Sequence, residues 1–123
     1  MSYDLTLSVK VEGHDVYARV ARPEKDHPTY NVGEIFRKAM DWDYSQSDDD
    51  GKTCYYPAEQ YIPNIERGIH EMRFNAKKYK PLEPDNGWGS TTTVLECLES
   101  LLKCIQETVE WEGIPLECLY ISW

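Results

Sequence analysis

The sequence contains no long hydrophobic run. Charged or polar residues interrupt every apolar stretch well before the roughly 18 consecutive apolar residues of a membrane-spanning helix. The first residues, MSYDLTLSVKV, carry an acid where a secretory signal peptide carries base, and they include no continuous apolar segment. We therefore expect a cytoplasmic protein with no membrane attachment.

Basic residues are scarce relative to acidic ones. The 123 residues include 22 acids and 13 bases, which gives a formal net charge of −9. Because a nucleic-acid backbone repels a protein of this charge, we expect no direct binding to nucleic acid. An acidic surface suits a partner protein with a basic surface, and it also serves solubility.

Cysteines are few, and their spacing matches neither a disulfide framework nor a zinc site. The chain has four and no CxxC pair: Cys54, Cys97, Cys104 and Cys118. Cys97 and Cys104 share one face of an expected helix and lie about 10 Å apart along it. Since a disulfide requires Cα atoms within roughly 7 Å, we expect buried free thiols.

Motifs that bind metals or carry out catalysis are equally scarce. The three histidines are far apart and form no HxH or HExxH pattern. The run DDDG at 48–51 suggests a calcium loop, but an EF-hand with Gly51 at its sixth position would need acids at Gln46 and Pro57. A Cys–His pair that meets only in space is a minor alternative. We predict a non-enzymatic protein without metal or cofactor.

Hydrophobic periodicity divides the chain into six elements of a single domain, residues 1–123. The expected elements are a strand at 4–11, a strand at 16–21, a helix at 31–42, a helix from about 57 to 79, a helix from about 93 to 109 and a strand at 114–123. Asn31 is expected to cap the first helix, with Glu34 completing a capping box.

This order, β-β-α-α-α-β, predicts an α+β fold. The first two strands form a hairpin because only a short turn separates them. We expect a small three-stranded, mainly antiparallel sheet, with the last strand joining the hairpin edge. The two long helices are expected to pack as an antiparallel pair on one face of this sheet.

The segment NGWGSTTT at 86–93 raises the question of a phosphate loop. Free N–H groups at a helix start attract anions, which makes Gly87, Gly89, Ser90 and Thr91 a possible anion-binding site. The P-loop lysine is absent, and Glu83 lies nearby and would repel phosphate. The favoured interpretation is a helix cap in which Thr93 and Glu96 have capping-box spacing, with Trp88 packing back on the helix pair.

Six acids form the predicted partner-binding surface: Asp48, Asp49, Asp50, Glu99, Glu107 and Glu110. The three glutamates fall on one stripe of the last helix. Part of this charge has another explanation, because an antiparallel neighbour would bring the basic residues of 67–80 into salt bridges. A solvated helix face therefore stands beside the interpretation as a surface for a basic partner.

Aromatic residues lie beside acids in three places, MDWDY at 40–44, CYY at 54–56 and EWE at 110–112. Tyrosine and tryptophan are favoured anchors of protein interfaces. The same residues are also ordinary members of a small core. The sequence offers no means of separating the two roles.

Several segments together resemble a group of small acidic proteins encoded by phages and integrative elements of Gram-positive bacteria. They are PTYNVGEIFRKAMDWD, IPNIERGIHEMRFN, NGWG followed by LECLESLLKCI, and the closing IPLECLYISW. The resemblance covers nearly the whole chain, with DDDGKT the least similar part. It implies no catalytic residues, and it implies a context of host takeover or escape from host defences.

Two hypotheses about function follow. The first is a non-enzymatic phage or mobile-element accessory protein that binds a host protein with a basic surface. Its sharper form is an acidic inhibitor of a nucleic-acid-binding host protein, of the anti-defence or anti-CRISPR kind. The alternative is a small-ligand or nucleotide-signal binding protein. Its phosphate contacts would come from the turn at 87–93 and from four bases, Arg67, Arg73, Lys77 and Lys78.

Overall fold

The computed structural model of the protein describes residues 3–14, 16–26, 28, 30–85, 87 and 89–123. The strands and helices are β1 (Thr6–Lys10), β2 (Tyr17–Ala21), α1 (Gly33–Met40), β3 (Tyr56–Pro57), α2 (Ala58–Phe74), α3 (Thr91–Glu112) and β4 (Leu119–Ser122). Short 3-10 helices occupy Tyr30–Val32, Ala76–Leu82 and Leu116–Cys118.

The sheet has the strand order β2-β1-β4-β3, and all neighbours are antiparallel. The α+β class is confirmed, and the last strand joins the hairpin at β1 as expected. The prediction of three strands is wrong, because Tyr56 and Pro57 form a fourth strand on the outer side of β4. Two residues are too few to show alternation, and the sequence placed Pro57 at a helix start instead.

One face of the sheet forms the floor of the core. Leu5 and Leu7 near β1 and Leu119 and Ile121 of β4 are fully buried. Each such side chain contributes roughly 1.5–3 kcal/mol by leaving water. The alternating positions project from the opposite, outer face of the sheet. Thr6, Ser8 and Ser122 there are polar but also buried, and the hydroxyl oxygens of Thr6 and Ser122 hydrogen-bond at 2.5 Å.

The helices pack closely around α2. A Cβ atom at Gly68 of α2 would lie 2.7 Å from Leu98 Cδ1 of α3 and 2.8 Å from Met40 Cγ of α1. These distances are shorter than van der Waals contact, so only glycine fits where the three helices meet. Arg73, five residues beyond Gly68, forms an exposed ion pair with Glu99 of α3 at 2.6 Å.

The start of α1 differs from the prediction. Residues Tyr30–Val32 form a 3-10 helix, and the α-helix begins at Gly33 with Val32 at the N-cap. The predicted Asn31–Glu34 capping box is therefore wrong in register. Glycine is required at position 33 because a side chain there would collide with the hydroxyl of Tyr3.

The boundaries of the long helices are also shifted. α2 contains Pro63 in its second turn and ends at Phe74, after which the chain continues as the 3-10 helix Ala76–Leu82. α3 begins at Thr91 with Ser90 as its N-cap, so the predicted Thr93–Glu96 capping box is wrong. Thr93 is instead the third helical residue, and its N–H donates to Ser90 Oγ at 3.4 Å.

Candidate partner-binding surfaces

The acidic loop is closed by its own backbone and by Asp48. Asp48 Oδ1 accepts hydrogen bonds from the N–H groups of Asp50 and Lys52, each at 2.9 Å. Gly51 adopts a positive φ of 80°, which glycine allows without strain. One of the three predicted acidic residues therefore shapes the turn, while Asp49 and Asp50 are exposed to solvent.

This loop is held against the outer face of the sheet. Tyr55, which follows the loop, stacks on Tyr17 of β2 with 3.8 Å between ring centroids and 7° between ring planes. Tyr120 of β4 contacts Tyr17 edge-on, with centroids 5.2 Å apart. Tyr120 alternates with the buried residues Leu119 and Ile121, so this aromatic contact lies opposite the core.

The glutamates of α3 face a different part of the molecule. Glu99 Oε2 accepts a hydrogen bond from Arg73 Nη2 of α2 at 2.6 Å, and Glu107 lies 3.7 Å from Lys103. Glu110 is exposed. The salt bridging that the sequence offered as an alternative explanation therefore accounts for two of the three glutamates. The exposed pairs are worth at most about 1 kcal/mol each.

The six predicted acidic residues do not form one continuous surface. The loop at 48–50 belongs to the outer face of the sheet, whereas the glutamates lie on α3 in the helical layer. What the sequence treated as one acidic face is two separate patches.

Of the two acidic patches, the one at the end of α3 also carries an exposed aromatic side chain, that of Trp111. Its side chain is 73% exposed, although tryptophan is among the most apolar residues of the chain. Glu110 and Glu112 flank it, and Glu107 lies one turn earlier on the helix. We name these four residues, Glu107, Glu110, Trp111 and Glu112, the Trp111 patch.

The aromatics of MDWDY belong to the core, whereas Tyr55 of CYY stacks on Tyr17 on the outer face of the sheet. Trp42 and Tyr44 are buried, and Tyr44 stacks on the buried Trp123 with centroids 4.1 Å apart. Trp42 stacks on Tyr61 of α2 at 4.1 Å. Of the three aromatic segments, EWE at 110–112 was therefore the one that indicated an exposed aromatic residue. Its position at the polar end of a helix is the signal that separates Trp111 from the others.

The predicted anion site at the start of α3 is occupied by the chain's own groups. Gly87 and Gly89 have positive φ values of 74° and 113°. Glu83 Oε1 lies 3.5 Å from the Thr91 nitrogen and 3.4 Å from its hydroxyl, and Ser90 caps the helix. Asn86 and Trp88 lie outside the described residues. The geometry favours the helix-cap interpretation, and binding of an external anion at Gly87, Gly89, Ser90 and Thr91 stays a prediction.

The bases of residues 67–80 are separated by the fold. Arg73 pairs with Glu99, whereas Arg67 and Lys78 both lie near Glu71. Glu71 is buried and accepts hydrogen bonds from Asn75 Nδ2 and from the Tyr79 hydroxyl, the latter at 2.9 Å. These two hydrogen bonds lower the pKa of Glu71, with smaller contributions from Lys78 and Arg67.

The thiols are free, as expected, at all four cysteines. Cys97 is buried, and burial raises its pKa to about 11. Burial likewise raises the pKa of Cys104. Within the described part of the chain, no three His, Cys, Asp or Glu side chains lie close enough together to hold a metal ion. Buried thiols with raised pKa values are poor nucleophiles.

Comparison with protein-family models, curated proteins and solved structures found no match for this chain. Among the described helices, none combines the length and the apolar character needed to cross a bilayer.

Proposed function

We propose that the protein is a non-enzymatic accessory protein of a phage or mobile element, and that it acts by binding a basic surface of a host protein. The single observation that supports this proposal is the 73% exposed side chain of Trp111 among three carboxylates. In its sharper form, the bound host surface is one that otherwise contacts nucleic acid. The protein then acts as a cytoplasmic inhibitor of a defence protein.

The chemistry of the Trp111 patch suits such a partner. Tryptophan is the residue most enriched at interface hot spots, because its large ring buries much area with few rotatable bonds. Carboxylates around it attract lysine and arginine side chains and repel nucleic acid and acidic proteins. Arginine also stacks on indole faces, so a basic partner gains from both components of the patch.

The glutamates of the Trp111 patch differ from Glu99, earlier on α3, in how far basic side chains of the protein neutralise their charge. Glu99 is paired across the helix interface at 2.6 Å, whereas Glu110 is exposed and Glu112 lies in the last helical position. Glu107 has its pair with Lys103 at 3.7 Å, which is longer than a hydrogen bond. Glu110 and Glu112 at the end of the helix are therefore the carboxylates most open to a partner, whereas Lys103 compensates Glu107 in part.

Affinity capture from a nuclease-treated lysate of a Gram-positive host, eluted with a salt gradient, identifies the partner. The purified partner is then titrated with Trp111→Ala and with the double reversal Glu107→Lys/Glu110→Lys. We expect each to weaken binding about tenfold or more, with the wild-type affinity falling as salt rises. Displacement of nucleic acid from the partner would support the sharper form.

The matched control is Phe74→Ala. Phe74 is 71% exposed, like Trp111, and it lies at the end of α2 away from the Trp111 patch. We expect this variant to bind as the wild type does. Equal binding by Trp111→Ala and the wild type would refute the proposed surface, and equal losses in Trp111→Ala and Phe74→Ala would point to nonspecific hydrophobic adsorption.

A further inference from the structure

Three cationic side chains from three different elements line one pocket of about 340 Å³. Lys38 comes from α1, Arg67 from α2 and Lys78 from the 3-10 helix Ala76–Leu82. The buried Tyr79 and the apolar side chains of Pro81 and Leu82 complete the wall. The sequence separates Lys38 from Arg67 by a long loop and a strand, so only the fold brings the three charges together.

Two of the three cations have donors that their carboxylate neighbour does not engage. Arg67 Nη2 and Lys78 Nζ each lie 3.9 Å from Glu71 Oε1, beyond hydrogen-bond distance. That oxygen already accepts a hydrogen bond from the Tyr79 hydroxyl at 2.9 Å. Lys38 pairs with Glu34 at 3.0 Å on the exposed surface of α1. With Glu34 and Glu71 both ionised, one positive charge remains uncompensated around the pocket of a protein whose net charge is −9.

We infer that this pocket binds the phosphate or diphosphate group of a small ligand. A tetrahedral phosphate presents acceptor oxygens in several directions, which matches donors arriving from three elements. Arginine supplies a planar fork for two of those oxygens, and lysine supplies point charges. Pro81 and Leu82 offer an apolar wall to the remainder of the ligand. The inference does not depend on the Trp111 patch, which lies at the other end of the helical layer.

A purely structural role explains the pocket less well. Glu71 needs counter-charges, but its two hydrogen bonds come from Asn75 and Tyr79, and neither depends on Arg67 or Lys78. Half-exposed ion pairs at 3.9 Å contribute little to stability. Lys38 pairs with Glu34 and not with Glu71, and its relation to Arg67 and Lys78 is that it lines the same pocket.

Titration of the folded protein with inorganic pyrophosphate at neutral pH and low salt, followed by amide NMR shifts and calorimetry, tests the site. We expect saturable shifts centred on Lys38, Arg67 and the Ala76–Leu82 helix. Arg67→Gln and Lys78→Gln should each weaken binding roughly tenfold, and Arg67→Lys should lose less because it retains the charge without the fork. All three positions are substantially exposed, and thermal melts verify that the variants fold.

The matched control is Lys77→Gln, an exposed lysine adjacent to Lys78 that does not line this pocket. We expect its affinity for pyrophosphate to stay near that of the wild type. A loss equal to that of Lys78→Gln would show diffuse attraction to bases and overturn the inference. The absence of saturable shifts up to about 10 mM pyrophosphate, about ten times a weak dissociation constant of 1 mM, would also overturn it.

A parallel titration with ADP identifies the source of the phosphate group. Tighter binding of ADP than of pyrophosphate, with an additional amide shift at Leu82 beside the apolar wall, supports a nucleotide ligand. Equal affinities support recognition of the free diphosphate group alone. In both cases the loss in Arg67→Gln is the required signature of the site.

Discussion

Replacement of Glu71 by glutamine tests how the 3-10 helix Ala76–Leu82 is fixed to α2. The buried carboxylate accepts one hydrogen bond from Asn75 at one oxygen and one from Tyr79 at the other. Glutamine retains the shape but is neutral, and its amide can still pair with the Tyr79 hydroxyl and the Asn75 amide, since both of these groups can also accept. The substitution thus converts two charge-assisted hydrogen bonds into neutral ones without leaving a cavity.

The expected loss follows from the kind of hydrogen bond removed. A hydrogen bond to a charged group contributes about 1.5–3 kcal/mol, compared with about 0.5–1.5 kcal/mol for a neutral one. Weakening both hydrogen bonds from the charged to the neutral kind should lower the free energy of unfolding by about 2 kcal/mol at neutral pH. For a chain of 123 residues this corresponds to a fall of roughly 6–10 °C in the melting temperature.

The loss should depend on pH in a defined direction. The hydrogen bonds from Asn75 and Tyr79 hold the pKa of Glu71 below its ordinary value of 4.5 in the folded protein. A lowered pKa contributes stability above the unfolded pKa, and this contribution is lost as the pH falls through the folded pKa. The wild type and Glu71→Gln should therefore differ most at neutral pH and converge in acid.

Urea titrations at about pH 7, 5 and 3.5 measure this difference directly. The matched control is Glu66→Gln, the same substitution at an exposed position of the same helix, which should change stability by less than about 0.5 kcal/mol. A difference for Glu71→Gln that is constant across the pH range would mean that packing, not charge, stabilises the site. Equal stability of the wild type and Glu71→Gln at neutral pH would refute the reasoning altogether.

Two further predictions concern the core. Gly68→Ala gains about 1 kcal/mol of helix propensity, but the added methyl group overpacks the helix junction at a cost of about 1–3 kcal/mol. Urea unfolding should therefore show a lower free energy of unfolding, and the decrease should be smaller in a Leu98→Ala background. A stabilised Gly68→Ala would contradict the close contact. Because burial raises the pKa of the Cys97 thiol to about 11, iodoacetamide at mildly alkaline pH should modify the exposed Cys118 much faster, as peptide mass spectrometry would show. Equal rates would contradict the burial.

The sequence was sufficient for the features that depend on period and local chemistry. The alternation in residues 4–11 correctly placed Leu5 and Leu7 in the core, and the helical pattern after residue 91 identified α3. These elements have long, regular patterns. The face that holds Leu5 and Leu7 is buried as predicted, but Val11 at the end of the pattern is 37% exposed, and Thr6 and Ser8 on the polar face are buried. The position of β4 beside β1 was also predicted, because the strand pattern at 114–123 could pair with the free edge of the hairpin.

The errors arose where tertiary contacts decide. β3 has only two residues, so its pairing with β4 leaves no periodic signal in the sequence. The N-cap of α3 is Ser90 and not Thr93, because several adjacent hydroxyl residues can each cap a helix and packing selects the register. The cationic pocket was anticipated only in part: Arg67 and Lys78 were among the bases considered for phosphate contacts, but Lys38 lines the same pocket only through the packing of α1 on α2.

The two acidic patches have different physical roles because the sheet separates them. A partner that buries the indole of Trp111 lies against the helical layer, whereas Asp49 and Asp50 lie beyond the sheet on its outer face. Charges separated by more than the Debye length, about 8 Å at physiological salt, interact weakly with such a partner. Under the proposed function, the loop acids would contribute to the overall field that orients an approaching basic protein, and the carboxylates around Trp111 would contribute to the contact itself. Substitutions in the loop should then change mainly the association rate, and substitutions around Trp111 mainly the dissociation rate, because rim and distant charges act on encounter while buried anchors act on residence.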